Sequence, residues 1–436
     1  MKELSDATDD SALDYHRLKS KIHERFLDEV DLDSLNRMNE FEARERIRQA
    51  LVELIRRDRT PVTSAEREQM IGEIRNEVFG LGPLEPLLAD ASISDILVNG
   101  FDHVYIERAG MLEKTDISFV DETHLRRIID RIVSRVGRRV DESSPMVDAR
   151  LLDGSRVNVI IPPLSLDGAT MSIRRFGGHQ LTKESLIENG TMAPEMLDLL
   201  EACVAGKLNM LISGGTGAGK TTLLNLVSSF ISGRERIVTI EDAAELRLHQ
   251  EHVVRLETRP PNIEGKGAVR QRELVINALR MRPDRIVVGE VRGGEAVDML
   301  QAMNTGHEGS LTTIHANSPR DALSRLETMI AMAELNLPDK AVRQQIASAI
   351  NVIVQVARLS DGTRRIMSIS EVTGMEGPVV TTQELFMFER QGILAEGRIA
   401  GRFRPTGVRP HFSDRIAASG IRLAADLFTP VNGGLR

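Results

Sequence analysis

The residues best placed to do chemistry are Gly214-Gly215-Thr216-Gly217-Ala218-Gly219-Lys220-Thr221, which fit the spacing G-x-x-x-x-G-K-T in full and are followed by Thr222. They lie between an apolar run, Met210 to Ser213, and an amphipathic stretch that opens near Gly219. Glycines at this spacing let successive backbone N–H groups curl around phosphate oxygens, and the following helix N-terminus adds partial positive charge. Lys220 is placed to reach the β- and γ-phosphates, and the Thr221 hydroxyl to complete the shell of a Mg²⁺ ion. The expected ligands are therefore ATP and Mg²⁺.

Hydrolysis of a bound triphosphate needs an acid that orients water. Arg285-Ile286-Val287-Val288-Gly289-Glu290 reads as an apolar strand ending in a carboxylate, so Glu290 is the candidate for activating the attacking water. A second acidic strand end, Ile240-Glu241-Asp242, offers Glu241 as a Mg²⁺ ligand through water or as an aid to Glu290; for Asp242 the competing reading is a cap of a following helix. His315 ends another apolar run and is expected at the same edge, whereas His307 sits in the preceding loop; a strand-end histidine is as often structural. A positive group at the γ-phosphate is also expected. Arg156, in Asp153-Gly154-Ser155-Arg156, and the pair Arg174 and Arg175 are candidates; adjacent strand residues point to opposite faces, so at most one of that pair meets a given ligand.

Positioning these groups requires a particular order of elements. From about residue 191 short apolar runs at Met210 to Ser213, Ile237 to Ile240, Ile286 to Gly289 and Leu311 to Ile314 alternate with helical stretches, which predicts an α/β domain with a mostly parallel sheet covered on both faces. Hairpin-like strands around Asn351 to Ala357, Ile366 to Val372 and Glu384 to Phe388 extend it to residue 436. Residues 81–177 read as an α+β domain whose helix carries Leu125, Ile128, Ile129, Ile132 and Val133 on one face and arginines on the other. Residues 178–190 read as a linker. Residues 13–80 read as a small helical bundle whose third helix opens on a Thr63–Glu66 capping box, and residues 1–12 as a disordered tail.

Composition narrows the function classes. The chain has 436 residues, 41% hydrophobic and 28% charged, in the range of folded globular proteins. With 3% aromatic residues, no Trp and a formal net charge of -8, it lacks the stacking platforms and overall positive field of single-strand nucleic-acid binders. A single cysteine, Cys203, excludes an internal disulfide and a four-thiolate zinc site. The polar, acidic first residues do not read as a secretion signal, and no apolar window reaches the roughly 20 residues of a membrane span. The expected location is cytoplasmic.

Together these motifs resemble the secretion ATPases that power type II and type IV secretion and type IV pili. The run Ile212 to Thr222, the acidic box Thr239-Ile240-Glu241-Asp242, the segment Arg282 to Arg292 and the histidine box Thr305 to His315 carry the likeness. Within that family the chain is most similar to the CpaF-type motors of tight-adherence (Flp) pili, through Gly80-Leu81-Gly82-Pro83-Leu84-Glu85-Pro86-Leu87-Leu88, Asp153 to Asn158 and Thr313-Ile314-His315-Ala316-Asn317-Ser318-Pro319. The resemblance implies a RecA-like P-loop domain, a homohexameric ring, and inner-membrane platform proteins of a pilus or secretion system as partners, with no nucleic acid. It implies that Glu290 is the catalytic glutamate, that Glu241, His307 and His315 belong to the acidic and histidine boxes, and that Arg156, Arg174 and Arg175 match arginines that engage the γ-phosphate from the other domain or the next subunit. One departure is Ala243, where many members carry proline.

Overall fold

The computed structural model describes residues 40–57, 62–108, 110–176, 182–261, 266–333, 337–394 and 397–430, with residues 15, 18, 19, 21–23, 25, 26, 29 and 30 before them. The tail read at residues 1–12 and the Gly177-Gly178 start of the linker lie outside these. The chain divides into two compact units, Met1–Gly178 and His179–Arg436.

In the first unit, helices Glu40–Arg57 and Ser64–Phe79 bury Ile47, Leu51, Leu54 and Ile55 against Met70, Ile71 and Ile74, together with Ile22 and Phe26. The Thr63 side chain accepts the Glu66 N–H at 3.2 Å and the Glu66 carboxylate accepts the Thr63 N–H at 2.7 Å, closing the capping box. Strands β1 (Ile93–Asn99), β2 (Val104–Arg108), β3 (Met111–Lys114), β4 (Met146–Arg150), β5 (Arg156–Ile160) and β6 (Thr170–Arg174) form an antiparallel sheet in the order β3-β2-β1-β6-β5-β4. The helix Glu122–Arg135 covers it with Leu125, Ile128, Ile129, Ile132 and Val133. Its His124 pairs with Glu77 at 2.8 Å, and its Arg131 donates to the Glu77 and Gly80 carbonyls, so bundle and sheet are joined through buried polar contacts.

The second unit begins inside the stretch read as a linker, which the structure corrects. Thr182 caps a helix Lys183–Glu188 whose Leu186 is buried in the core of this unit. Strands β7 (Met210–Gly214), β8 (Ile237–Glu241), β9 (Val253–Glu257), β10 (Arg285–Val291), β11 (Leu311–Ile314), β12 (Val352–Arg358), β13 (Arg364–Glu376), β14 (Val379–Ile393) and β15 (Ile399–Pro405) make one sheet among the described residues, ordered β15-β14-β13-β12-β7-β11-β10-β8-β9. From β12 to β9 every neighbouring pair is parallel, and β12 to β15 continue it antiparallel. The unbroken burial of β7, β8 and β11 follows from helices on both faces. One face packs on helices Pro194–Ala205 and Lys220–Ser229, the other on Glu295–Asn304, Pro319–Met332 and Asp339–Ala349. Cys203 is fully buried there as a core residue. No helix among the described residues is long and apolar enough to cross a membrane.

Candidate nucleotide site

The phosphate loop is the turn from β7 into the helix Lys220–Ser229, at the carboxyl edge of the parallel sheet. Gly217 and Gly219 adopt φ of 69° and 96°, the left-handed region that side chains resist. Gly214 is glycine for a different reason, since a Cβ there would lie 2.6 Å from the Val356 carbonyl oxygen. Lys220 Nζ donates to the Gly215 carbonyl at 3.1 Å. Burial holds its pKa below the usual lysine value, against the opposing pull of Glu290.

The two acidic strand ends lie side by side because β8 and β10 are parallel neighbours, with Ile240 opposite Val288. A Cβ on Gly289 would sit 2.9 Å from Glu241 Cγ, so the glycine makes room for that side chain. Glu290 Oε2 accepts Arg292 Nη2 at 2.7 Å and Nε at 3.1 Å, and Arg292 Nη1 reaches Asp242 Oδ2 at 3.3 Å. Burial alone would lower the Arg292 pKa; the bond to Glu290 raises it instead. Arg292 thus ties the two strand ends together, a role that its position two residues after Glu290 did not announce.

Glu241 is buried, and Oε1 accepts the Glu245 and Leu246 N–H groups at 2.8 and 2.9 Å. It therefore caps the irregular segment that follows, the task that the sequence offered to Asp242, and no helix follows there. Its other oxygen, Oε2, is buried without a hydrogen-bond partner, and burial raises the carboxyl pKa. An unpartnered buried carboxylate oxygen and the Thr221 hydroxyl are hard oxygen donors of the kind Mg²⁺ takes alongside phosphates and water. The residues fit that ion.

The two histidines part company. His315 follows Ile314, which is level with Ser213, so it stands at the phosphate-loop edge. The carbonyl of the next residue, Ala316, accepts Ser213 Oγ at 3.4 Å and Gln355 Nε2 at 3.3 Å, knitting β7, β11 and β12 together beneath the loop. His307 precedes β11, whose first residue Leu311 is level with Met210 at the start of β7. It is therefore at the amino edge, the length of the strand away, in a loop held by Asn209 Oδ1 through the Gly309 and Ser310 N–H groups at 2.7 and 3.0 Å. The structure does not bring His307 to the phosphate loop, because the strand between the two histidines crosses the sheet.

The candidate arginines belong to the first unit. Arg150, Arg156 and Arg174 are level with one another across β4, β5 and β6, and Arg156 and Arg174 are exposed. Arg174 Nε donates to Asp95 Oδ1 at 3.1 Å. Arg175 is half-buried and donates to the Asp90 carbonyl, which makes it a brace for the turn before β1. In the second unit two further arginines, Arg358 and Arg364, stand beside the phosphate loop, and Arg364 Nε donates to the Gly217 carbonyl at 3.0 Å. No motif points to them; the β12–β13 hairpin brings them there.

A glycine-rich turn from a central strand into a helix, with acidic neighbouring strand ends on a mostly parallel sheet, defines a RecA-like P-loop nucleotide-binding domain. The chain belongs to the type II/IV secretion system protein family, whose model matches residues 77–399. It is 41% identical over 312 residues to a Mycobacterium tuberculosis protein named for conjugal transfer, covering 70% of this chain and 88% of that one. It is 34% identical over 329 residues to the type IV secretion system protein PtlH of Bordetella pertussis, covering 69% and 96%. The crystal structure of the VirB11 ATPase from the Brucella suis type IV secretion system covers 68% of this chain and 97% of its own, with 28% identity and a TM-score of 0.37.

Proposed function

We propose that the chain is a motor ATPase that hydrolyses ATP with Mg²⁺ and works as a homohexamer on a type II/IV-class secretion machine. The particular machine we propose is a type IV pilus of the Flp (tight-adherence) kind, whose subunits it adds or withdraws. The observation that carries the enzymatic part is Glu290, held at the strand end beside the phosphate loop and within the electrostatic reach of Lys220.

In this scheme the loop N–H groups of Gly215 to Thr222 and Lys220 bind the phosphates. Thr221 and Glu241 would hold Mg²⁺, which would neutralise charge on the phosphate oxygens. Glu290, released from Arg292, accepts the proton of the attacking water, and His315 lies at the same edge to contact the terminal phosphate. We assign Arg156 and Arg174 to the γ-phosphate, supplied by the same or a neighbouring copy; Arg175, which braces the turn before β1, and His307, at the opposite edge of the sheet, are left out of the set. The motor reading puts the chain at the cytoplasmic face of the inner membrane, held by platform proteins. Relatives named for conjugal transfer and type IV secretion support the machine class. Against the alternative, a hexameric nucleic-acid translocase, stand the net charge of -8 and the scarcity of aromatics.

The test is Glu290→Gln. We expect hydrolysis to fall by about a hundredfold or more while ATP binding persists, as removal of a water-activating base requires. An unchanged rate would sink the proposal, and stimulation of wild-type hydrolysis by DNA or RNA would favour the translocase.

A further inference from the structure

The β12–β13 hairpin sets two like charges against each other beside the phosphate loop. Strand β12 is the parallel neighbour of β7 on the side away from β11, so its end and the start of β13 flank the loop. There Arg358 and Arg364 are exposed and directly opposite in register. Two guanidinium groups level with each other across an antiparallel pair can donate together to one anion that lies beside them.

Both guanidinium groups border the part of the loop that would wrap phosphate. Arg364 Nε donates to the Gly217 carbonyl at 3.0 Å. A Cβ on Gly219 would lie 3.3 Å from Arg364 Cδ, and one on Gly217 would lie 3.7 Å from Arg358 Nη1. The carboxylates are on the opposite flank: Glu290 on β10 and Asp242 after β8, both beyond β11. A phosphate chain lying in the loop with its terminal group toward Glu290 therefore has its other end toward the hairpin.

We propose that Arg358 and Arg364 form a clamp, within one chain, for the α- and β-phosphates of the bound nucleotide, the portion that ATP and ADP share. The inference rests on the P-loop reading above. Arg364 Nε already donates to the Gly217 carbonyl, a neutral acceptor within the loop. With nucleotide, the two guanidinium groups donate to phosphate oxygens, where charge-assisted hydrogen bonds are stronger than bonds to a neutral carbonyl. The clamp sets how tightly both nucleotides bind and how fast ADP leaves.

The experiment is calorimetric titration of ADP with Mg²⁺ into the full chain, comparing wild type with Arg358→Ala, Arg364→Ala, the double variant and Lys220→Ala. Each single arginine variant is expected to bind ADP about tenfold more weakly, the double variant more weakly still, with KM for ATP rising by more than kcat falls. The double variant should also lose part of the salt dependence of ADP affinity, a signature that a merely bracing role would not change. Arg364→Lys, which keeps the charge without the fork, should fall between wild type and Arg364→Ala. If the double variant binds ADP like wild type while Lys220→Ala has lost binding, the clamp is overturned and the P-loop reading stands. If Lys220→Ala also binds normally, the P-loop reading falls and takes the clamp with it. If Arg364→Ala lowers the melting temperature of the nucleotide-free protein while Arg358→Ala leaves ADP affinity unaltered, these arginines only brace the loop.

Discussion

Glu241 and Glu290 stand on neighbouring strands, yet their surroundings send them in opposite directions. Glu290 keeps part of its carboxylate in contact with solvent and is paired with Arg292, so it stays available as a base once that pair opens. Glu241 is buried, and burial raises its pKa from the ordinary 4.5. A carboxyl raised in the folded state adds stability that is fully present below its unfolded value and is lost as pH rises through the folded one, because the folded chain then binds more protons than the unfolded chain. Glu241→Gln keeps an oxygen for the Glu245 and Leu246 N–H groups and removes the titration. Its stability relative to wild type should therefore climb as pH rises above the ordinary carboxylate range, as read from urea midpoints at each pH. A difference that stays flat, or moves the other way, would show that Glu241 carries its charge in the folded protein without penalty.

At the scale of elements, Arg285 fastens the opposite edge of the sheet from the phosphate loop. It is 1% exposed, and it donates to both Glu235 oxygens at 2.7 and 3.1 Å, to the Gly309 carbonyl at 3.0 Å and to the Val204 carbonyl at 2.8 Å. One side chain so joins β10, the loop before β11 and the end of the helix Pro194–Ala205. Gly309 exists to admit it: a Cβ there would come within 1.7 Å of Arg285 Nη1, at a φ of 81° that already favours glycine. Arg285→Met should cost about 3 kcal/mol in equilibrium unfolding, since it removes the buried cation that Glu235 and the Gly309 carbonyl share and leaves Glu235 with Lys207 alone at 3.3 Å, and adding Glu235→Gln should restore part of the loss. An additive pair would mean that the two do not act together.

The same region shows what was legible in the sequence. The strands of the parallel core could be read because their burial on both faces leaves continuous apolar runs, and the phosphate loop because its spacing is rigid. The Thr305 to His315 segment reads as one motif, but its two histidines are at opposite edges because β11 passes between them. Arg285 reads as the polar start of a strand, and its buried partners come from residues 24 to 81 positions away. Arg358 and Arg364 are equally silent, since only the pairing of β12 with β7 carries them to residue 217. Contacts set by sheet order, rather than by neighbours along the chain, are what a sequence conceals.

At the scale of the whole molecule, the family match from residue 77 to 399 runs through both compact units, so the family is defined by the pair and not by the P-loop unit alone. The proposed division of labour gives the second unit the phosphates and the first unit Arg156 and Arg174. In a ring, that division can be split between copies, and mixing then separates the possibilities. Lys220→Ala chains lack the loop cation, and Arg156→Ala/Arg174→Ala chains lack the arginines, so each homogeneous protein should be nearly inactive. If the arginines serve the neighbouring copy, an equal mixture rebuilds intact interfaces at about a quarter of positions, as random placement in a cyclic ring requires. Hydrolysis should recover to about that fraction, and particles formed with Mg²⁺ and a slowly hydrolysed ATP analogue should weigh six times the 48.3 kDa chain. Six-fold particles without recovery would assign the arginines to the chain that binds the nucleotide. A single-chain mass under saturating nucleotide would remove the ring, and with it the coupling between copies on which a motor of this design depends.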